Sequence, residues 1–380
     1  MIMQRNECSA LITEAKRIVV KVGTSTLTYP NGKMNLPRIE ALARQLTDLY
    51  NQGKEVILVS SGAIAAGMGR LKLAEKPKDV PGKQALAAVG QGVLLHLYEK
   101  MFAEYGQTVA QLLLTKADLD NHQRFLNARN TLFALLKMGI IPIINENDTV
   151  AIDEIRIGDN DTLASTVAVL LEADLVILLS DINGLYEEDP HKNHAAKMIE
   201  VVEKVDENIE KIAGTAGSNL GTGGMVTKIS AAKIATNAGI AMIIAHGAEK
   251  NVLSRIAEGE NLGTLFLPMD VKPHLRKCWI TCGRSISGSL VVDDGAKNAL
   301  LNNGKSLLPS GIKEISGDFS KGAVVAIVDQ NGREFARGIV NYAAKDLELI
   351  KGAKSKDIAD ILGFKDYDEA IHRDNLGLVL

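Results

Sequence analysis

With 380 residues, 46% of them hydrophobic and 23% charged, the chain has ordinary soluble composition and enough length for two domains. A net charge of −3 and 4% aromatic residues exclude a chain-wide pull toward nucleic acid or anionic membrane. Three cysteines, Cys8, Cys278 and Cys282, make no disulfide framework and lack the paired spacing of a zinc site. The expectation is reduced thiols in a cytoplasmic protein. Residues 1–16 carry Arg5, Glu7, Glu14 and Lys16 without an apolar run, so no signal peptide is expected. The most apolar stretch, 163–179, is broken by Glu172 and Asp174, which argues against a membrane span.

From residue 17 to about 267, short apolar runs alternate with helical patterns. Strands are predicted at 17–22, 55–60, 108–114, 141–145, 175–180 and 240–245. Several are apolar on both faces, as strands of a parallel sheet covered by helices should be. After Pro37, Ile39, Leu42, Ala43, Leu46, Leu49 and Tyr50 recur at helical spacing, and similar helices fit 83–104, 124–138, 162–172 and 226–238. This alternation implies a three-layer α/β fold with ligand loops at the carboxyl ends of the strands. Past the Pro268–Pro273 stretch the runs shorten and Gly turns punctuate them. Strands at 288–292 and 323–328 and a short helix at 294–301 mark 276–380 as a separate, small β-rich domain. Its 15 basic and 14 acidic residues leave it nearly neutral.

Chemistry gathers where strands end. The first strand runs into Lys21-Val22-Gly23-Thr24-Ser25, a lysine beside a glycine that suits phosphate; a snorkelling surface lysine would read the same. The second runs into Ser60-Ser61-Gly62-Ala63 and on to Gly67 and Gly69, with hydroxyls and N–H groups for a carboxylate or phosphate. Asn145-Glu146-Asn147-Asp148 follows the fourth strand. Gly158-Asp159-Asn160-Asp161 opens a helix, where outward N–H groups can grip a phosphate-bearing ligand, although an Asx turn with a helix cap uses the same residues. Gly221 to Lys228 joins a glycine nest to a movable positive charge; a flexible linker is the plainer alternative. Gly304-Lys305-Ser306 lacks the glycine a Walker loop needs at position 299, which is Ala.

Taken in order, KVGTS at 21–25, SSGAIAAG at 60–67, NEND at 145–148, GDND at 158–161 and GTGGMVTK at 221–228 resemble the motif set of the glutamate 5-kinase branch of the amino-acid kinase family. The resemblance covers nearly the whole chain, because bacterial members carry a C-terminal PUA domain similar to 276–380. It implies a three-layer αβα amino-acid kinase fold over 1–268 with a mainly parallel sheet. The implied reaction is ATP-dependent phosphorylation of the L-glutamate side-chain carboxylate to L-glutamyl 5-phosphate, the first step toward proline, with Mg2+ as cofactor and no residue assigned as its ligand. By the same resemblance Lys21 and Lys228 stabilise phosphate and Asp161 organises them. Ser61, Asp148 and Asn160 match glutamate contacts. Lys21, Ser180, Asp181, Thr222, Gly223, Gly224, Met225, Val226, Thr227 and Lys228 match nucleotide contacts. Ser180 stands where Thr is common, which keeps the hydroxyl. A homo-oligomer, dimer or tetramer, and feedback by proline are also implied.

The residues suit that reaction. A glutamate side chain is ionised at neutral pH, so no general base is needed, and two lysines with Mg2+ offset the repulsion between two anions. The seven histidines have no evident partner and receive no role. Two other readings compete. One is a kinase for another small acid or a nucleoside monophosphate, against which stand SSGAIAAG and the PUA-like tail. The other is RNA binding by the C-terminal domain, weakened by its near-neutral charge and single tryptophan, Trp279.

Overall fold

The computed structural model describes residues 5–29, 31–73, 75–151, 160–188, 193, 195–215, 224–269 and 286–379. The chain divides into two compact units, Met1–Lys272 and Pro273–Leu380. In the first, helices α1 (Arg5–Thr13), α2 (Thr24–Leu27), α3 (Leu36–Asn51), α4 (Ala63–Leu71), α5 (Val80–Ala103), α6 (Lys116–Asp120), α7 (His122–Lys137), α8 (Asn160–Leu170), α9 (Glu207–Thr215), α10 (Met225–Asn237) and α11 (Val252–Ala257) accompany eight strands. These are β1 (Arg17–Val22), β2 (Glu55–Ser60), β3 (Val109–Leu114), β4 (Ile141–Glu146), β5 (Leu175–Ser180), β6 (Val201–Val202), β7 (Ala241–His246) and β8 (Thr264–Phe266). The sheet order is β3-β4-β2-β1-β5-β7-β8-β6. The first six strands in that order pair in parallel, and β8 returns antiparallel to β7.

The strand period of two explains both the core and the site. Along β1, Ile18, Val20 and Val22 pack with Ile39, Leu46 and Leu94 of α3 and α5. Val19 and Lys21 therefore point to the opposite face, where α8 lies against β1 and β5, and α10 lies against α8 and β7. Helix α3 forms because Asn35 caps it through the N–H of Arg38, Pro37 fits its first turn, and Ile39, Leu42, Ala43, Leu46 and Leu49 bury one stripe.

The six predicted strands and five predicted helices of this unit are present, with ends shifted by up to three residues. The 60–69 segment differs. Only Ser61 and Gly62 lie between β2 and the next element; Ala63 to Leu71 is helix α4. Gly62 sits at φ +97°, a left-handed conformation open to glycine, which lets β2 bend directly into that helix. The short β8 carried no readable signal and breaks the parallel pattern at one side.

The second unit holds β9 (Ser289–Val292), α12 (Asp294–Asn303), β10 (Ile312–Ser316), β11 (Val324–Val328), β12 (Glu334–Ile339), α13 (Ala344–Ile350), α14 (Ile358–Leu362) and β13 (Leu376–Leu378). Its five-stranded sheet has the order β10-β9-β11-β12-β13, antiparallel except between β9 and β11. Leu290, Ile327, Tyr342, Leu347 and Ile371 lie in a core of their own. The β-rich reading of this region agrees with the sheet; Cys278, Trp279 and Cys282 lie outside the described residues.

Candidate active site

Lys21, Asp161 and Lys228 meet at the carboxyl end of the parallel sheet. β1 delivers Lys21, the first turn of α8 delivers Asp161, and the first turn of α10 delivers Lys228. Lys21 Nζ stands 2.5 Å from Asp161 Oδ1, and Lys228 Nζ stands 3.0 Å from Oδ2. Thr227 Oγ1 lies 3.2 Å from that second oxygen. Asp161 is fully buried and both lysines are buried. Burial is the largest influence on the Asp161 carboxyl and pushes its pKa up; the charges and hydrogen bonds of Lys21 and Lys228 outweigh it and hold the pKa below its ordinary value. Among these three residues two cations share one anion, which leaves one formal positive charge in a place nearly closed to solvent. Such a charge is costly to bury unless a ligand answers it, and an anion such as phosphate would.

A second cluster flanks the first. Asn160 opens α8, and its side-chain amide donates toward Ser60 O (3.0 Å), Ser61 Oγ (2.8 Å) and Asn145 Oδ1 (2.9 Å). Asn145 Oδ1 also accepts the N–H of Glu146 at 2.9 Å, so the ends of β2 and β4 and the start of α8 are tied together. Asn145 Nδ2 and Asn160 Oδ1 are buried with no partner among the described residues. One is a donor and the other an acceptor, and each costs roughly 1–3 kcal/mol while unsatisfied, which favours a polar ligand beside Ser61. Asp148 occupies the turn after β4, three residues beyond Asn145, and is partly buried.

Ser180 ends β5, two strands' width from the Asn cluster, and its hydroxyl donates to Asp181 Oδ1 at 3.1 Å. Gly224 precedes α10 as its N-cap residue; Met225, Val226, Thr227 and Lys228 form the first helical turn. Thr222 and Gly223, with Gly158 and Asp159, lie outside the described residues. The geometry thus joins Lys21, Asp161, Thr227 and Lys228 in one cluster and Ser61 with Asn160 in another. It adds Asn145, to which the sequence reading gave no role although it begins the NEND motif. The signal was present: an amide at a strand end, next to the strand whose serines it helps hold. Gly23, in contrast, adopts φ −81°, and a Cβ there would make only ordinary contacts, so the packing of the protein does not require a glycine there.

The family model described as Amino acid kinase family matches residues 16–246, which contain every residue of both clusters. The chain belongs to the amino acid kinase family. A PUA domain model matches residues 288–362 of this family member. The chain is 59% identical to the glutamate 5-kinase of Caldanaerobacter subterraneus subsp. tengcongensis, over 95% of its own length and 97% of that relative's. It is 56% identical to that of Carboxydothermus hydrogenoformans over 97% and 99% of the two lengths. For the Moorella thermoacetica enzyme the identity is 52% over 98% and 99%. Among solved structures, the UMP kinase from Bacillus anthracis aligns with a TM-score of 0.47 at 16% identity, over 68% of this chain and 97% of that one. Among the described residues, no helix is long and apolar enough to cross a membrane.

Proposed function

We propose that the chain is an ATP-dependent glutamate 5-kinase, making L-glutamyl 5-phosphate for proline biosynthesis. The observation that carries the reading is the buried Lys21–Asp161–Lys228 cluster with its surplus positive charge at the sheet's carboxyl edge. Near full-length identity of 52–59% to the glutamate 5-kinases supports the choice of acceptor.

In this reading a side-chain carboxylate oxygen of glutamate attacks the γ-phosphorus of ATP, and the bond to the bridging β–γ oxygen breaks to release ADP. No proton moves. The barrier is electrostatic, because negative charge spreads over the transferring group and its leaving oxygen. Lys21 and Lys228 face that charge from β1 and α10, and Asp161 holds the two ammonium groups apart and oriented before substrate arrives. Ser61, Asn160 and the unpaired Asn145 amide bind the amino-acid end, with Asp148 opposite its ammonium. Ser180, Asp181 and 222–228 bind the nucleotide. Among the described residues no group of three or more His, Cys, Asp or Glu is placed to hold a metal, and Asp161 is engaged by both lysines. That donor set fits Mg2+ arriving on the ATP phosphates, where it would supply further positive charge at the transferring group.

The proposal extends to the division of labour: 1–268 carries catalysis, and 276–380 serves assembly or regulation. A cytoplasmic homo-oligomer, dimer or tetramer, subject to feedback by proline, completes it. The test is ATP turnover with hydroxylamine trapping across a panel of amino acids and nucleoside monophosphates. Glutamate-dependent hydroxamate together with ADP is expected. Turnover with a nucleoside monophosphate, or hydroxamate from a different acid, would overturn the reading.

A further inference from the structure

Helix α5 lies outside every recognised motif, yet one stripe of it reaches both walls of the proposed acceptor pocket. Gln84 Nε2 donates to Ala151 O at 3.1 Å, and Gln91 Nε2 donates to Glu146 O at 3.3 Å. These carbonyls bound the turn that carries Asp148. Tyr98 Oη lies 2.8 Å from Ser60 Oγ, whose own proton goes to Ser61 O at 3.0 Å, so the tyrosine is the donor. Gln84, Gln91 and Tyr98 are spaced by seven, and seven residues return a helix to within about 20° of its starting direction. The three donors therefore form one line along α5.

The helix is rigidly placed for such a role. A Cβ on Gly90 would fall 1.6 Å from Ala63 O, and one on Gly67 would fall 2.1 Å from Leu86 O. Backbone thus meets backbone between α5 and α4, the helix that continues the Ser60-Ser61-Gly62 turn. Gln91 is held as well, since its Oε1 accepts from Gln111 Nε2 of β3 at 3.1 Å, which fixes which end of the amide faces Glu146. Tyr98 is fully buried beneath this edge, and its phenol pKa is raised by that burial, so it stays a neutral donor at every working pH.

We propose that Gln84, Gln91 and Tyr98 act as a line of positioning residues that fixes the separation between the Ser60–Ser61 wall and the Asp148 turn. In doing so they set the chain length of the acidic substrate the enzyme accepts. The inference rests on the glutamate kinase reading above. None of the three residues touches substrate: Gln84 and Gln91 hold the backbone carbonyls that bound the Asp148 turn, and Tyr98 holds the Ser60 hydroxyl next to Ser61. Loosening the line lets the two walls drift, which weakens glutamate binding and erodes discrimination against the shorter homologue aspartate, while the lysine cluster and nucleotide side are left in place.

The experiment compares the full-length protein with Gln84→Met, Gln91→Met and Tyr98→Phe, each singly and in combination with Asp148→Asn. It reads KM for glutamate and for ATP, kcat, the glutamate-to-aspartate ratio of kcat/KM, and the thermal transition. Losing one such hydrogen bond should raise KM for glutamate roughly 3- to 10-fold. KM for ATP should stay within about twofold, and the glutamate-to-aspartate ratio should fall. In the Asp148→Asn background the effects of Gln84→Met and Gln91→Met should shrink to about twofold or less, because the contact they position is gone. Equal changes in both KM values, an unchanged substrate ratio, or full additivity with Asp148→Asn would overturn the proposal. If Gln91→Met or Tyr98→Phe lowers the thermal transition too far to assay, the partly exposed Gln84 decides the matter. Wild-type protein without glutamate-dependent hydroxamate would instead sink the kinase reading, before any variant is considered.

Discussion

Two carboxylates with lowered pKa values, one in each unit, show why charge geometry says more than titration. Asp161 of the first unit is opposed foremost by its own burial, and two lysines together overcome this. Asp329 of the second unit is lowered foremost by its hydrogen bond to Lys297, at 2.8 Å, and then by the N–H of Arg333; burial opposes these, and the N–H of Asn331 and the charge of Lys297 help further. One lysine and one aspartate there cancel, and the carboxylate's remaining capacity is spent on the turn between β11 and β12. The Asp161 cluster leaves one positive charge over, at the meeting point of a strand end and two helix starts. A depressed carboxyl marks structure in one case and, in the proposed reading, a site in the other, and the surplus charge among Lys21, Asp161 and Lys228 tells them apart.

The comparison is broken most forcefully at Asp161. Asp161→Asn should lower kcat by about 10³, since both lysines lose their organiser, and should destabilise the first unit by roughly 3–5 kcal/mol, the usual effect of leaving buried charge unpaired. The pH sign follows from the lowered pKa. The stability that ionised Asp161 contributes is complete above the ordinary value of 3.8 and is lost as pH falls below that through the folded value. Urea midpoints of wild type and variant should therefore differ by a constant amount from pH 8 to pH 5 and converge below about pH 4. A gap that already closes at pH 6 would mean that Asp161 is not held ionised by the lysines.

Lys228→Ala removes one arm of the surplus charge and should lower kcat by roughly 10²–10³, the range for losing one charge partner of a transition state, with the fold intact. Activity within about threefold of wild type would take Lys228 out of the site. A smaller effect is expected from ending the chain after Pro268. Both clusters lie within 1–268 and strand-end loops of a single sheet build them, so the shortened protein should stay soluble and phosphorylate glutamate with kcat close to that of the full chain. An inactive truncation with an intact thermal transition and retained ATP binding would assign the second unit a part in catalysis.

The sequence made the sheet legible because β1, β2, β4, β5 and β7 are apolar on both faces, and that pattern is local. It also made several of the site's parts legible, because Lys21 and Ser61 sit where strands end and Asp161 sits where an apolar helix begins. Their grouping came from the family resemblance and not from the residues themselves: Asn160 meets Ser61 across 99 positions and Lys228 meets Asp161 across 67, and pairing at that range is decided by sheet order. Helix α4 is missing from the predicted helices because Gly67 and Gly69 imitate loop composition, whereas Gly67 lets α5 touch the α4 backbone. The line of Gln84, Gln91 and Tyr98 was missed for a related reason. Polar residues on a long helix read as a solvated face until their partners, up to 67 positions away, are known.

The smallest expected effect sharpens the comparison from its other side. Asp329→Asn keeps an oxygen for the turn's N–H groups and removes only the charge opposite Lys297. Lys297 is one-third exposed, so its ion pair is screened by water and contributes little. The thermal transition of the second unit should fall by only about 1–3 °C. Because the folded Asp329 pKa lies below its ordinary value of 3.8, that small contribution is present above 3.8, and variant and wild type should draw together as pH falls below 3.8 through the folded value. Glutamate phosphorylation at neutral pH should be unchanged, since the pair leaves no charge over for a substrate. A tenfold loss of activity in Asp329→Asn with the thermal transition preserved would show that a balanced pair in the second unit does reach the chemistry, and surplus charge would no longer separate the two carboxylates.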